Sequence, residues 1–215
     1  MMRAMLLSAA ALISGMAFGT PSAADPARGA HGEYVPDPFE VQAIHNFGAC
    51  IADTTPEGAR RVLALDFRSS EYKKSLHSLV YGHDDSRCLL GGWRYKFSPS
   101  LIAGAMAEAL LKSDIKKEEL PKRLAYDPAR APIQARSDLE KMALCTVMQA
   151  PGATLSLFAT EPATGAEQAA MKPVGDALSN CLQKGTQVTL NGPGVRSLLA
   201  LAAWRVATTP EKAVP

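Results

Sequence analysis

The sequence is poor in aromatic residues and carries almost no net charge. Aromatic residues make up 6% of its 215 positions, and 23 basic against 21 acidic residues leave a formal charge of +2. So balanced a charge gives no support for a nucleic-acid or anionic-membrane partner, because such partners select strongly basic surfaces. Few aromatic residues, together with abundant Ala and Leu, favour helices.

Long hydrophobic runs are also lacking, apart from one near the N-terminus. An apolar run from Ala4 to Phe18 follows Arg3, and the small residues of positions 22–24 come shortly after it. This order is typical of a signal peptide, whereas a membrane anchor needs about 20 apolar residues. We therefore predict a signal peptide over residues 1–24, an exported protein that is periplasmic or secreted, and no transmembrane segment in the mature chain.

Motifs for common catalytic chemistries are missing. The sequence has no Gly-x-Ser-x-Gly, no Gly-rich phosphate loop and no Cys-x2-4-Cys pair. Its four histidines all fall in the first half, and His45 has apolar neighbours that favour a core or interface position. We therefore expect no cofactor, and an enzyme is favoured less than a binding or structural protein.

The four cysteines are spaced in two similar units. We interpret the pattern as an internal duplication at an offset of roughly 93–95 residues, which predicts two folding units of the same kind. The spacings are Cys50-x5-Pro56 with Cys88-x10-Pro99 in the first unit, and Cys145-x5-Pro151 with Cys181-x11-Pro193 in the second.

An exported protein meets an oxidising compartment, where an even number of cysteines is a candidate disulfide set. Four cysteines allow three connectivities, and two equivalent folding units select the bonds Cys50–Cys88 and Cys145–Cys181. Each bond would close a loop of about 40 residues and stabilise the fold by about 3–4 kcal/mol on a loop-entropy model. A zinc site is the competing interpretation, and the absence of any His from the second unit weakens it.

The hydrophobic periodicity predicts a mainly α-helical fold of two tandem, disulfide-stapled repeats, each with one short β-strand before its last helix. The strands are expected at Trp93–Phe97, where aromatic and basic residues alternate, and at Gln187–Leu190. The last helices begin at Ser98-Pro99 and at Pro193, and both are rich in small residues that allow close helix contact. We expect these two helices to pack centrally.

Capping residues mark several helix starts. Ser137-x-x-Glu140 has the form of a capping box, and Thr54 or Thr55 with Glu57 suggests another. The predicted divisions are a signal peptide at 1–24, a flexible N-terminus at 25–38, repeat 1 at 39–112, a surface linker at 113–136, repeat 2 at 137–207 and a C-terminal tail at 208–215.

One carboxylate and one polar cluster are weak candidates for chemistry. Glu108 lies in an Ala-rich helix, where burial would raise the pKa of a carboxylate, but helical spacing favours an exposed position. His77, His83, Asp84 and Asp85 could hold a divalent metal, although a solvated turn at a helix end explains them as well. We assign no catalytic, metal-binding or cofactor-binding residue on these grounds.

A set of short motifs runs through the chain: Phe-Gly-x-Cys-Ile-Ala at 47–52, Pro56, Ala59-Arg60, Cys88 and Ala-Glu-Ala-Leu at 107–110. Over residues 40–207 this arrangement resembles that of uncharacterised exported proteins of alphaproteobacteria of the sphingomonad kind. The resemblance implies a signal-bearing chain of two repeats, and it implies no activity or ligand. The second half departs from the pattern, because residues 202–205 place no acid at the position that matches Glu108.

These features favour a binding or structural module of the cell envelope, with an envelope protein as one option for its unidentified partner. A periplasmic hydrolase that uses Glu108 or the region of His77 and His83 is one alternative. It predicts a pocket in which a carboxylate and a histidine converge. A divalent-metal-binding protein is the other alternative.

Overall fold

The computed structural model describes residues 36–81, 88, 98–183, 185 and 188–212. Over these residues the protein is mainly α-helical, as predicted, and it forms nine helices and no strand. The first half contains α1 (Pro38–Thr54), α2 (Pro56–Ala64), α3 (Ser70–Tyr81) and α4 (Pro99–Asp114). After the short α5 (Leu120–Leu124), the second half contains α6 (Asp138–Gln149), α7 (Pro151–Phe158), α8 (Gly165–Cys181) and α9 (Gly192–Thr208).

The chain bends in the same way after the first helix of each half. Thr55 joins α1 to α2 with φ −137° and ψ 57°, and Ala150 joins α6 to α7 with φ −130° and ψ 57°. Proline follows at both positions, and it excludes the helical conformation from the residue before it. A capping box at Thr55 is not formed, because its side chain makes no capping hydrogen bond and Glu57 pairs with Arg60 instead.

Helix α4 lies in the core between α1 and α9. A Cβ atom added at Gly104 would come within 2.5 Å of the Cα atom of Ser197, and one added at Gly48 would lie 2.6 Å from the Cβ atom of Ala105. Only glycine therefore fits at these two helix crossings. The prediction that the last helices of the two halves pack centrally, against each other, is confirmed.

Both predicted disulfide bonds are confirmed. Cys50 on α1 is bonded to Cys88, and Cys145 on α6 is bonded to Cys181 at the end of α8. Each bond ties the first helix of a half to a residue at or beyond the end of its third helix. The bonds close loops of similar length, with sequence separations of 38 and 36 residues.

Two sequence expectations differ from the structure. Residues 188–190, the described part of the second expected strand, form no strand, because no described segment pairs with them; the first, at 93–97, lies outside the described residues. The segment 113–136 is more than a surface linker. It contains the short helix α5, whose Leu120 and Leu124 are both buried because they face the core.

Residues beyond α9 contact this same segment. Arg130 and Glu211 form an isolated antiparallel bridge, and the backbone N–H of Lys212 donates to the carbonyl of Ala129 at 2.9 Å. The predicted signal peptide and nearly all of the predicted N-terminal segment lie outside the described residues. Among those described, no helix combines the length and apolarity that crossing a membrane requires.

Candidate functional site

Glu108 and Arg196 form the centre of a buried ionic cluster. Glu108 is only 1% exposed and Arg196 only 3%. The guanidinium of Arg196 binds the carboxylate with two hydrogen bonds of 2.8 Å, one from Nε to Oε2 and one from Nη2 to Oε1. Because Glu108 lies on α4 and Arg196 on α9, this pair joins the two halves.

The other N–H groups of Arg196 bind residues near the start of α8. Nη1 donates to Oε1 of Glu167 at 2.9 Å and to the Thr160 hydroxyl at 3.2 Å, while Nη2 also donates to the Thr160 carbonyl at 2.8 Å. Glu167 is fixed by a helix cap, since its Oε2 accepts from the N–H of Ala163 and its own N–H donates to Thr164. Arg196 therefore bridges two buried carboxylates with a single positive charge.

The remaining neighbours of Glu108 are a lysine and a histidine. Lys112, one helical turn later, donates to Oε1 at 2.8 Å. Nε2 of His45, on α1, lies 3.3 Å from Oε2, but its orientation is unsuitable for a hydrogen bond. His45 is mostly buried in this interface, as its apolar sequence neighbours indicated.

The expectations of an exposed Glu108 and of a raised pKa are both wrong. Burial alone would raise the pKa of Glu108, but contact with His45 and the hydrogen bonds from Arg196 outweigh burial and lower it to about 2. The exposed position failed as a prediction because helical spacing considers one helix at a time. The side of α4 that carries Glu108 is covered by α1 and α9.

This cluster is built for stability rather than for catalysis. Both carboxylate oxygens of Glu108 are occupied, and its lowered pKa keeps it ionised at neutral pH, so it has no proton to donate. The cavity beside His45 and Arg196 measures about 20 Å³, which is enough for one water molecule and not for a substrate. A carboxylate and a histidine do converge here, but the cavity that the described residues form beside them is too small for a substrate.

The candidate metal cluster is only partly described. His77 lies exposed on α3, with its ring centroid 4.7 Å from that of Tyr81, whereas His83, Asp84 and Asp85 lie outside the described residues. Among the described residues, no group of three His, Cys, Asp or Glu side chains is placed to hold a metal ion.

A larger cavity lies where the two halves meet. We call it the inter-half groove; it has a volume of about 470 Å³ and a predominantly apolar lining. The end of α2 and the start of α3 form one wall, α6 and α9 form the other, and the first turn of α4 closes one end. Its apolar lining includes Leu65, Phe67, Tyr72, Leu139, Leu201 and Trp204.

The charged residues of the groove are mainly basic. They are Lys73, Arg136, Arg205 and Glu140. Arg205 is paired with Glu140, so one acidic and one basic charge cancel. Arg136 donates from Nη1 to the Leu65 carbonyl at 3.0 Å, and neither it nor the exposed Lys73 forms an ion pair with a described residue.

Burial lowers the pKa of Arg136, and the nearby positive charge of Arg205 lowers it further. The nearby acids Glu140 and Asp66 oppose this shift only in part. The groove thus combines apolar walls with excess positive charge.

Sequence reasoning found Glu108 and missed Arg196 and the groove. A signal for Arg196 was present, since an acid inside an apolar helix needs a cation and α9 is the other Ala-rich helix. Thr164-x-x-Glu167 was also visible as a capping box. No local sequence pattern predicts the groove, because the residues that line it lie between positions 63 and 205.

The chain matches no protein-family model, and it has no significant match among curated proteins or among solved structures.

Proposed function

We propose that this protein is an exported binding module of the cell envelope and that the inter-half groove is its binding site. The observation that carries the proposal is the groove itself, an apolar cavity of about 470 Å³ at the junction of the halves. Small-molecule sites occupy roughly 300–1,000 Å³, are mainly apolar, and are often found where two structural units meet.

A second cavity supports the proposal less well. It measures about 360 Å³ and lies between residues 126–135 and α6. Arg130, its most buried basic residue, already donates to the carbonyls of Lys122, Arg123 and Val206. Arg130 therefore serves the fold, whereas Arg136 in the inter-half groove retains donors for a ligand.

The contacts around the groove are suited to keeping the shape of the binding site fixed before a ligand binds. The pair of Glu108 and Arg196 fixes α4 against α9, and the disulfides restrain both halves. Walls that are fixed in advance reduce the entropy lost on binding. The buried cluster thus acts as a support for the site and takes no part in chemistry.

Export is supported by two independent features. The apolar run of 4–18 with small residues after it has the composition of a signal peptide. Two disulfides with no free cysteine among the described residues suit an oxidising compartment, periplasmic or extracellular.

We also infer that the two halves are tandem repeats. The matching bends at Thr55 and Ala150, the similar separations of the bonded cysteines and the same order of helices support this inference. The groove would then lie at the interface between the repeats, which explains why both halves contribute residues to it.

Binding of a neutral apolar fluorescent dye tests the proposed function. We expect a naphthylamine dye to bind the wild type and to gain fluorescence, with several-fold weaker binding to Phe67→Ala, at a groove residue that is 37% exposed. Phe39→Ala is the matched control, because Phe39 is 63% exposed and lies outside the groove. Failure of the folded wild type to bind the dye would overturn the proposal, and so would equal losses in the two variants.

A further inference from the structure

Building on the proposed function, we infer that the inter-half groove binds a free, single-chain amphipathic carboxylate. Its apolar chain would lie against Leu65, Leu139 and Trp204, and its carboxylate would be bound by Lys73 and Arg136. The occupant is a dissolved molecule of the fatty-acid type rather than a membrane surface or a protein.

Charge complementarity identifies the sign of the polar group. Among the described residues that line the groove, three are basic and one is acidic, and Arg205 forms an ion pair with Glu140, whereas Lys73 and Arg136 form none. Lys73 and Arg136 together leave an excess of two positive charges beside an apolar cavity. A carboxylate placed between them would meet both charges, whereas a neutral or cationic group would leave them unmatched.

Arg136 has the geometry to receive such a group. A guanidinium carries five N–H donors, and only Nη1 of Arg136 has a described acceptor, the Leu65 carbonyl at 3.0 Å. That bond fixes the side chain between the two walls, because Leu65 follows α2 and Arg136 precedes α6. Arg136 is therefore held in place with donors to spare, as a bidentate carboxylate site requires.

The first turn of α4 adds to the positive potential. Ser98 and Pro99 line the groove at the N-terminus of this 16-residue helix, where the helix dipole is positive. The hydroxyl of Ser98 is bonded to that of Ser100 and gives the helix no side-chain cap. The described residues at this end of the groove, Ser98, Pro99 and Ser100, include no acid that would oppose the carboxylate.

A membrane surface fits the groove less well. Recognition of anionic lipid surfaces uses clusters of about 4–8 basic residues on an exposed face. Here the unmatched charges number two, and they flank a concave cavity. One dissolved molecule can enter such a cavity, whereas a bilayer cannot follow its shape.

Calorimetric titration with a matched set of ligands tests the inference. We expect decanoate to bind the full-length wild type about tenfold more tightly than decanol, as the addition of a charge-assisted contact implies, and decyltrimethylammonium more weakly than either. Lys73→Gln should remove most of the preference for decanoate while binding of decanol stays the same. Lys74→Gln, at the next position of α3 and outside the groove, is the control and should leave both affinities unchanged.

Arg136→Gln provides a second variant with the same expected loss, and its circular dichroism spectrum shows whether the fold survives. Equal binding of decanoate and decanol by the wild type would overturn the inference and leave the proposed function standing, provided that the neutral dye binds. Equal effects of Lys73→Gln and Lys74→Gln would also overturn it. So would dimerisation that Phe67→Ala abolishes, because a second copy would then occupy the groove. Absence of binding by dye and decanoate alike would overturn both proposals.

Discussion

Helix α9 carries two arginines that each bind a glutamate but lie in different surroundings. Arg196 binds Glu167 and Arg205 binds Glu140, and each glutamate caps the N-terminus of its own helix. The arginines are nine positions apart, which places them on opposite faces of α9 because each residue rotates about 100°. One face is sealed in the core and the other borders the inter-half groove.

The contribution of the first half makes the difference. On the sealed face, α4 supplies Glu108 as a second acid for Arg196, and Lys112 on α4 supplies a further cation. On the groove face, the charged residues from outside α6 and α9 that line the described part of the groove are Lys73 and Arg136, and neither forms an ion pair with a described residue. An arginine–glutamate pair is therefore part of a buried, fixed contact where a second acid lies beside it, and part of a basic, accessible cavity where cations lie beside it.

Replacing the two arginines separately tests this difference and has the largest expected effect. Arg196→Met leaves Glu167 buried without a cation and Glu108 with only Lys112, which should lower the free energy of unfolding by about 3–5 kcal/mol. Arg205→Met leaves Glu140, which is 7% exposed, still bonded to the N–H of Arg136, so we expect a smaller loss of about 1–3 kcal/mol. Urea unfolding with intact disulfides measures both values.

The double variant Arg196→Met with Glu108→Gln is the control for the buried charge. It should recover part of the stability lost in Arg196→Met, because the substitution removes one of the two carboxylates that Arg196 binds. Equal losses for Arg196→Met and Arg205→Met would mean that the two faces of α9 do not differ in the proposed way.

The pH dependence of stability tests the contribution of Glu108 on the sealed face, separately from the groove. Because the pKa of Glu108 is lowered from 4.5 to about 2, its contribution is fully present above about pH 4.5 and is lost as the pH falls toward 2. Glu108→Gln should cost about 1.5–3 kcal/mol at neutral pH, and this difference from the wild type should shrink as the pH falls through that interval.

Unfolding midpoints of the wild type and Glu108→Gln at several pH values between 2 and 7 measure this difference. Other carboxylates with lowered pKa values, such as Asp114, are present in both proteins and largely cancel. A difference that does not change with pH would show that Glu108 does not titrate in the expected range.

The local parts of this fold could be predicted from the sequence, whereas the contacts between halves could not. Ser137-x-x-Glu140 correctly marked the start of α6, and the cysteine spacing gave both disulfides. These signals lie within one element or one half. The expected strand at 187–190 failed because alternation describes only a single segment, whereas a strand also needs a partner.

Glu108 shows the same limit at a site. Its helix could be identified, but its burial depends on Arg196, which lies 88 residues later in the chain. A periodicity analysis places a charged residue on the exposed side by default, because it cannot include the cation that a second helix supplies. The groove was missed for a related reason, since its walls come from both halves.

The crossing of α4 and α9 next to Arg196 offers the last and smallest test. Gly104→Ala would place a Cβ atom 2.5 Å from the Cα atom of Ser197, so one helix backbone has to move. We expect a loss of about 1–3 kcal/mol, because this shift also lengthens the neighbouring contacts between Glu108 and Arg196. Gly152→Ala is the matched control: nothing lies within 4 Å of its added Cβ atom, and its effect should stay within about 0.5 kcal/mol. Thermal and urea unfolding of both variants measure the difference, and a Gly104→Ala protein as stable as Gly152→Ala would contradict the close helix crossing on which the sealed face depends.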